Sequence, residues 1–182
     1  MIFIKFLPYG KQYIDESDIQ DVVDVLKSDF ITQGPKIGQF EEALAEYCGS
    51  KYAVAFNSGT SALHGAYFAQ GIGKGDEVIT PPNTFVATSN AALYLNAAPV
   101  FTDVEIETGN MDVSKVEEQI TEKTKLIVPV HYSGNPVDLK ELSEIAEDKD
   151  VKIIEDAAHS IGAKYDGEKI GNSKYSEMSI FS

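Results

Sequence analysis

Between residues 15 and 26 the apolar side chains Ile19, Val22, Val23 and Leu26 recur at three- and four-residue intervals, which predicts an amphipathic helix with Ser17 as its N-cap. The turn-rich Thr32-Gln33-Gly34-Pro35 follows. A second helix is predicted over residues 39–48, burying Phe40, Leu44 and Tyr47 and ending at Gly49. Beyond it, short apolar runs alternate with amphipathic stretches. Residues 53–56, 77–80, 99–104, 126–130 and 151–154 read as strands, and 61–70, 85–95, 113–120 and 137–147 as helices. Such alternation implies right-handed crossovers and an α/β architecture, a mainly parallel sheet with helices on both faces. Near the end, residues 163–165 and 169–171 flank Asp166-Gly167, a hairpin turn, and residues 177–182 read as a last strand.

Composition narrows the classes of function. The chain has 182 residues, 43% of them hydrophobic, enough for one well-packed core. Fifteen Lys and Arg against 29 Asp and Glu give a formal net charge of -14, whose field repels a polyanion, so nucleic acid is not an expected partner. A phosphorylated small molecule is still compatible, because local backbone N–H groups hold a phosphate whatever the global charge. Cys48, the single cysteine, excludes an internal disulfide and any multi-cysteine metal site, and reads as a small buried residue on a helix. The histidines lack the paired spacing of a metal site. The opening Met1-Ile2-Phe3-Ile4-Lys5-Phe6-Leu7 is too short for a signal core, and no apolar stretch approaches the roughly 20 residues that span a membrane. A cytoplasmic protein is expected, without repeat or flexible linker.

In a parallel sheet, ligands sit beyond the carboxyl ends of the strands, so the polar residues that follow each apolar run are the ones to weigh. Asn57-Ser58-Gly59-Thr60-Ser61-Ala62-Leu63 leads from a strand into a helix, where free N–H groups and hydroxyls suit an anion; the plainer alternative is a turn with Ser or Thr as helix cap. In Thr84-Phe85-Val86-Ala87-Thr88 the aromatic Phe85 either stacks on a flat ligand or fills the core. The strand Ile153-Ile154-Glu155-Asp156 delivers an acid at its end, with His159 three residues on. Asp156 there either caps a turn or holds a heterocyclic nitrogen protonated, as pyridoxal 5'-phosphate (PLP) requires. Glu155 points to the opposite face of the strand. His131 ends another strand, where it either reaches the same crevice or serves the structure. Neither a P-loop, a dinucleotide fingerprint nor a G-x-S-x-G elbow occurs.

Together, Asn57-Ser58-Gly59-Thr60-Ser61-Ala62-Leu63, Thr84-Phe85-Val86-Ala87-Thr88, Glu155-Asp156-Ala157-Ala158-His159 and Ser179-Ile180-Phe181-Ser182 resemble, in order and spacing, the DegT/DnrJ/EryC1/StrS family of nucleotide-sugar aminotransferases. The resemblance implies a fold-type I PLP-dependent large domain, a homodimer, and transfer of an amino group from glutamate to a nucleotide-linked keto sugar. By motif position it implies Gly59, Thr60, Ser61 and Ser182 at the cofactor phosphate, Phe85 stacked on the pyridine ring, Asp156 paired with the ring nitrogen and His159 near the ring hydroxyl oxygen. Within the family, Pro8-Tyr9-Gly10-Lys11-Gln12, Phe30-Ile31-Thr32-Gln33-Gly34 and His131-Tyr132-Ser133-Gly134-Asn135-Pro136-Val137 are most similar to the transaminase of pseudaminic acid synthesis, which aminates C4 of a UDP-linked 4-keto-6-deoxy-N-acetylhexosamine. That match implies substrate contacts at Tyr9, Asp29, Phe30, Ile31, Thr32 and Gly59.

On the same resemblance, residues 1–35 form an N-terminal helical and substrate-contact segment and residues 36–182 an incomplete PLP-binding large domain. The lysine that forms the Schiff base in this family is expected shortly after Ser182, and the smaller C-terminal domain beyond it. The expectation is therefore an inactive N-terminal portion of a sugar aminotransferase. The alternatives are a sugar dehydratase of the same fold, with histidine at the lysine position, and a binding module without catalysis.

Overall fold

The computed structural model describes residues 10–182, and these divide into two compact units, one ending at Gln39 and the other covering Phe40–Ser182. No helix among the described residues is long and apolar enough to cross a membrane.

The first unit holds helix α1 (Glu16–Lys27) and the start of α2 (Pro35–Cys48). Asp15, not Ser17, is the N-cap of α1: its carboxylate accepts from the N–H groups of Ser17 and Asp18 while Asp18 accepts from the Asp15 N–H, a reciprocal capping box. Proline at the first helical position starts α2 four residues earlier than the apolar pattern indicated, because its fixed φ suits a helix N-terminus and its missing N–H has no partner to lose there. Gly49, with φ +80, terminates the helix, and the Ser50 N–H returns to the Ala45 carbonyl.

The second unit is built on a five-stranded parallel sheet in the order β2-β1-β3-β4-β7, from β1 (Glu77–Thr80), β2 (Ala98–Phe101), β3 (Thr124–Ile127), β4 (Lys152–Asp156) and β7 (Met178–Ile180). Side chains alternate between two apolar layers. Val78, Leu126, Ile154 and Ile180 pack with Leu63, Ala66 and Tyr67 of α3 (Gly59–Ala69) and with Ala87, Ala91 and Ala92 of α4 (Ala87–Tyr94). Ile79, Ile127 and Ile153 face the other way, onto Leu142 and Ala146 of α5 (Leu139–Asp148). The strands are thus sandwiched, as continuous apolar runs require.

Three further expectations are corrected. Residues 53–56 pair with no strand among those described, and Val54 and Phe56 are exposed; the Ala55 N–H instead donates to Glu41 at 2.8 Å. Residues 113–120 form two short 3-10 turns rather than an α-helix, with Val113 and Val116 buried at the three-residue spacing that such turns align. In α2 it is Ala45 and Cys48 that are buried, whereas Phe40 and Tyr47 are exposed and Leu44 is half-buried. Small side chains let that face approach closely, and Cys48 lies where a Cβ on Gly171 would come within 3.1 Å of it.

The hairpin β5 (Lys164–Tyr165) and β6 (Glu168–Lys169) turns on Asp166 and Gly167, both with positive φ, the signature of a type I′ turn. It is tied to α5 by the Tyr165 hydroxyl, which donates to Asp138 at 2.5 Å. Burial first, then that hydrogen bond, push Tyr165 up to about 12, so it remains a phenol donor at neutral pH. Gly167→Ala, forced to keep φ near +79, is expected to cost about 1 kcal/mol in urea unfolding; an unchanged midpoint contradicts the strained turn.

Candidate active site

The carboxyl ends of the strands carry the polar residues. Asp156, last in β4, is 5% exposed and shares the face of Ile154, so it is directed to the α3 and α4 side. Its backbone is clamped from both neighbours: its N–H donates to the Pro129 carbonyl at 2.9 Å, its carbonyl accepts from His131 at 3.1 Å, and the next N–H, of Ala157, donates to Ile180 at 2.9 Å. Its carboxylate accepts from the Thr88 hydroxyl at 2.6 Å and the Ala158 N–H at 3.3 Å. Among the described residues no cation pairs with it. A carboxylate offers about four acceptor positions, so this buried group keeps unused capacity for an outside N–H.

Glu155 is 2% exposed on the opposite face and forms a separate network. Its oxygens accept from His131 Nε2 at 2.7 Å, Ser179 Oγ at 3.0 Å and Ser176 Oγ. The Val137 N–H points at His131 Nδ1 at 3.2 Å, so that nitrogen carries no proton and Nε2 is the donor. His131 therefore serves the structure.

At the start of α3, Ser58 caps the helix by accepting from the Ser61 N–H at 3.1 Å and donates to the Ser61 hydroxyl at 3.0 Å. The Gly59 and Thr60 N–H groups have no acceptor among the described residues and lie at the positive end of the helix. Ser182 sits directly on this turn: a Cβ on Gly59 would stand 2.8 Å from Ser182 Cβ and 2.9 Å from its Oγ. A side chain at this position would have to displace Ser182. Because Asp156 is in register with Ile180, two residues before Ser182 on the adjacent strand, strand spacing and rise put Asp156 and Ser182 roughly 8 Å apart. The acid and the N–H cup are therefore neighbours at the carboxyl ends of β4 and β7.

Phe85 stands just before α4 with 74% of its surface exposed, and its carbonyl is 3.1 Å from the Thr88 hydroxyl that also holds Asp156. His159 is exposed in the turn after β4, and its carbonyl lies 2.9 Å from where a Cβ on Gly134 would be. Gly59, Thr60, Ser61, Phe85, Asp156, His159 and Ser182 all lie in the second unit. Asp29, Phe30, Ile31 and Thr32 are exposed residues of the first unit, and Tyr9 lies outside the described residues.

The free N–H groups at the start of α3 suit an anion, and the open acceptor positions of Asp156 suit an N–H donor. Residues 12–182 match the family model of the DegT/DnrJ/EryC1/StrS aminotransferases. The chain belongs to the DegT/DnrJ/EryC1/StrS aminotransferase family. It is 46% identical over 167 residues to UDP-4-amino-4-deoxy-L-arabinose–oxoglutarate aminotransferase of Shewanella sediminis, covering 92% of this chain and 43% of that one. Among solved structures, Helicobacter pylori PseC, an aminotransferase of pseudaminic acid biosynthesis, superposes with a TM-score of 0.91 at 36% identity over 98% of this chain and 48% of its own. Streptococcus pneumoniae Spr1654 in its PLP form gives 0.92 at 34% identity, over 97% and 48%. The chain thus spans less than half the length of the relatives it matches.

Two residues that the DegT/DnrJ/EryC1/StrS motifs left without a role support the site. Thr88 closes the second motif and reaches Asp156, and Tyr67, fully buried on α3, donates to the Thr88 carbonyl at 2.9 Å. A tyrosine four residues after Leu63, on the apolar face of α3, was the available signal, since a buried phenol needs an acceptor. Burial chiefly, and the nearby Asp156 charge, push the Tyr67 phenol up.

Proposed function

We propose that these residues carry the PLP site of an aminotransferase that moves an amino group from glutamate to a nucleotide-linked keto sugar, at C4 of a UDP-4-keto-6-deoxy-N-acetylhexosamine. The reaction is proposed for a polypeptide of the relatives' full size. The observation that carries the proposal is the buried Asp156 carboxylate, unpaired with any described cation and in register with the strand that leads to the Gly59–Ser182 cup.

Bound there, PLP supplies an electron sink for the carbon at which the amino group is exchanged. Asp156 accepts the ring N–H and keeps that nitrogen protonated. The Gly59 and Thr60 N–H groups, with the hydroxyls of Thr60, Ser61 and Ser182, hold the phosphate at the helix N-terminus. Phe85 offers its exposed face to the ring, and His159 approaches the ring hydroxyl oxygen. Tyr9, Asp29, Phe30, Ile31, Thr32 and Gly59 contact the sugar nucleotide. A homodimer belongs to the proposal, and exposed Phe68, Leu93 and Tyr94 supply apolar surface compatible with it.

Saturable PLP binding, followed by absorbance, is expected in the wild type and to weaken about tenfold or more in Gly59→Val, whose side chain must displace Ser182. Adding glutamate to the loaded full-size polypeptide is expected to produce the amine form of the cofactor, and adding the keto sugar nucleotide to reverse it. Equal affinity in Gly59→Val, or no response to either substrate, overturns the proposal.

A further inference from the structure

A carboxylate that keeps a heterocyclic N–H protonated must itself stay ionised and hold one oxygen on the line of that N–H. We propose that Thr88 is the positioning residue that does this for Asp156 and that Tyr67 braces it from α3, an inference that rests on the PLP site proposed above.

The Thr88 hydroxyl has one proton and three oxygens within reach: Asp156 Oδ2 at 2.6 Å, Thr84 Oγ1 at 2.7 Å and the Phe85 carbonyl at 3.1 Å. The charged and nearest acceptor takes it, at the length of a charge-assisted O–H···O⁻ bond. Thr84 must then be the donor to Thr88, which makes a directed chain from Thr84 through Thr88 to Asp156. Each hydroxyl in such a chain polarises the next.

The direction of the chain also fixes the carboxylate. Oδ2 is occupied by Thr88 and Oδ1 receives only the Ala158 N–H at 3.3 Å, so both oxygens are oriented while acceptor positions stay open. Thr88 lies in the first turn of α4, whose dipole favours a negative charge at that end. Its own position is set by the fully buried Tyr67 hydroxyl, bonded to its carbonyl at 2.9 Å, which locks α4 to α3 at this turn. Thr88 is itself fully buried, so water does not replace its hydroxyl when it is removed.

The test uses the protein loaded with PLP labelled with 15N at the ring nitrogen, whose chemical shift at neutral pH reports protonation directly. Asp156→Ala sets the unprotonated limit. Thr88→Val, equal in shape but without a donor, is expected to move the resonance at least halfway to that limit, and Thr88→Ser to restore the wild-type value. If Asp156→Ala shifts the resonance and Thr88→Val leaves it at the wild-type position, this inference fails alone; if Asp156→Ala leaves it unmoved, the site itself is misassigned. Should Thr88→Val not fold, Tyr67→Phe and Thr84→Ala decide. Each is expected to move the resonance the same way by a smaller step, and no movement in both overturns the proposal.

Discussion

In a polypeptide of the relatives' full size carrying the proposed PLP site, replacing Asp156 with Asn is expected to lower kcat on the order of 10²- to 10³-fold while the cofactor stays bound, the loss typical when a preorganised group facing developing charge is removed. The amide keeps the size of the carboxylate and still accepts from Thr88, so the surrounding hydrogen bonds of 2.6 and 3.3 Å need not break. What disappears is the negative charge. A neutral partner no longer holds the ring nitrogen protonated, while the cup formed by Gly59, Thr60, Ser61 and Ser182 retains its hold on the phosphate. The measurement is single-turnover reaction with glutamate, beside cofactor content read from absorbance. Near-normal turnover with full cofactor would remove Asp156 from the chemistry.

The neighbouring acid predicts the opposite phenotype. Glu155→Ala is expected to destabilise the protein by about 2–4 kcal/mol in urea unfolding, because it strands buried neutral donors that shared one acceptor. The His131 side chain is 0% exposed and Glu155's 3%, so the imidazole N–H and the hydroxyls of Ser176 and Ser179 would lose their shared acceptor where water is scarce. Glu155→Gln preserves an acceptor oxygen and should cost distinctly less. A change below about 1 kcal/mol for Glu155→Ala would mean that the network relaxes or hydrates at little cost.

The sheet was legible because both of its faces are covered: the apolar runs at 77–80, 126–130 and 151–154 had to be strands between helices, and Asp166-Gly167 had to be a turn. The opposite orientation of Glu155 and Asp156 followed from the pleat alone. Less legible was whatever depends on partners. The run at 53–56 has strand-like composition, yet composition does not supply a neighbouring strand. In α2 the large side chains Phe40 and Tyr47 looked like the buried face, whereas close contact with the rest of the unit favoured Ala45 and Cys48. The motifs singled out Asp156, Gly59 and Ser182 as candidates. The proximity of Gly59 to Ser182 and the bond from Thr88 to Asp156, which bridges 68 positions of chain, exist only in three dimensions.

Two acids in succession at the end of β4 make this strand intolerant of a slipped alignment. A single-residue insertion or deletion would exchange their faces, delivering the longer carboxylate to the Thr88 side and leaving the shorter one short of the imidazole. Architecture and chemistry would then fail in the same event, so tolerated length changes in this polypeptide should fall in its turns and never between Lys152 and Asp156.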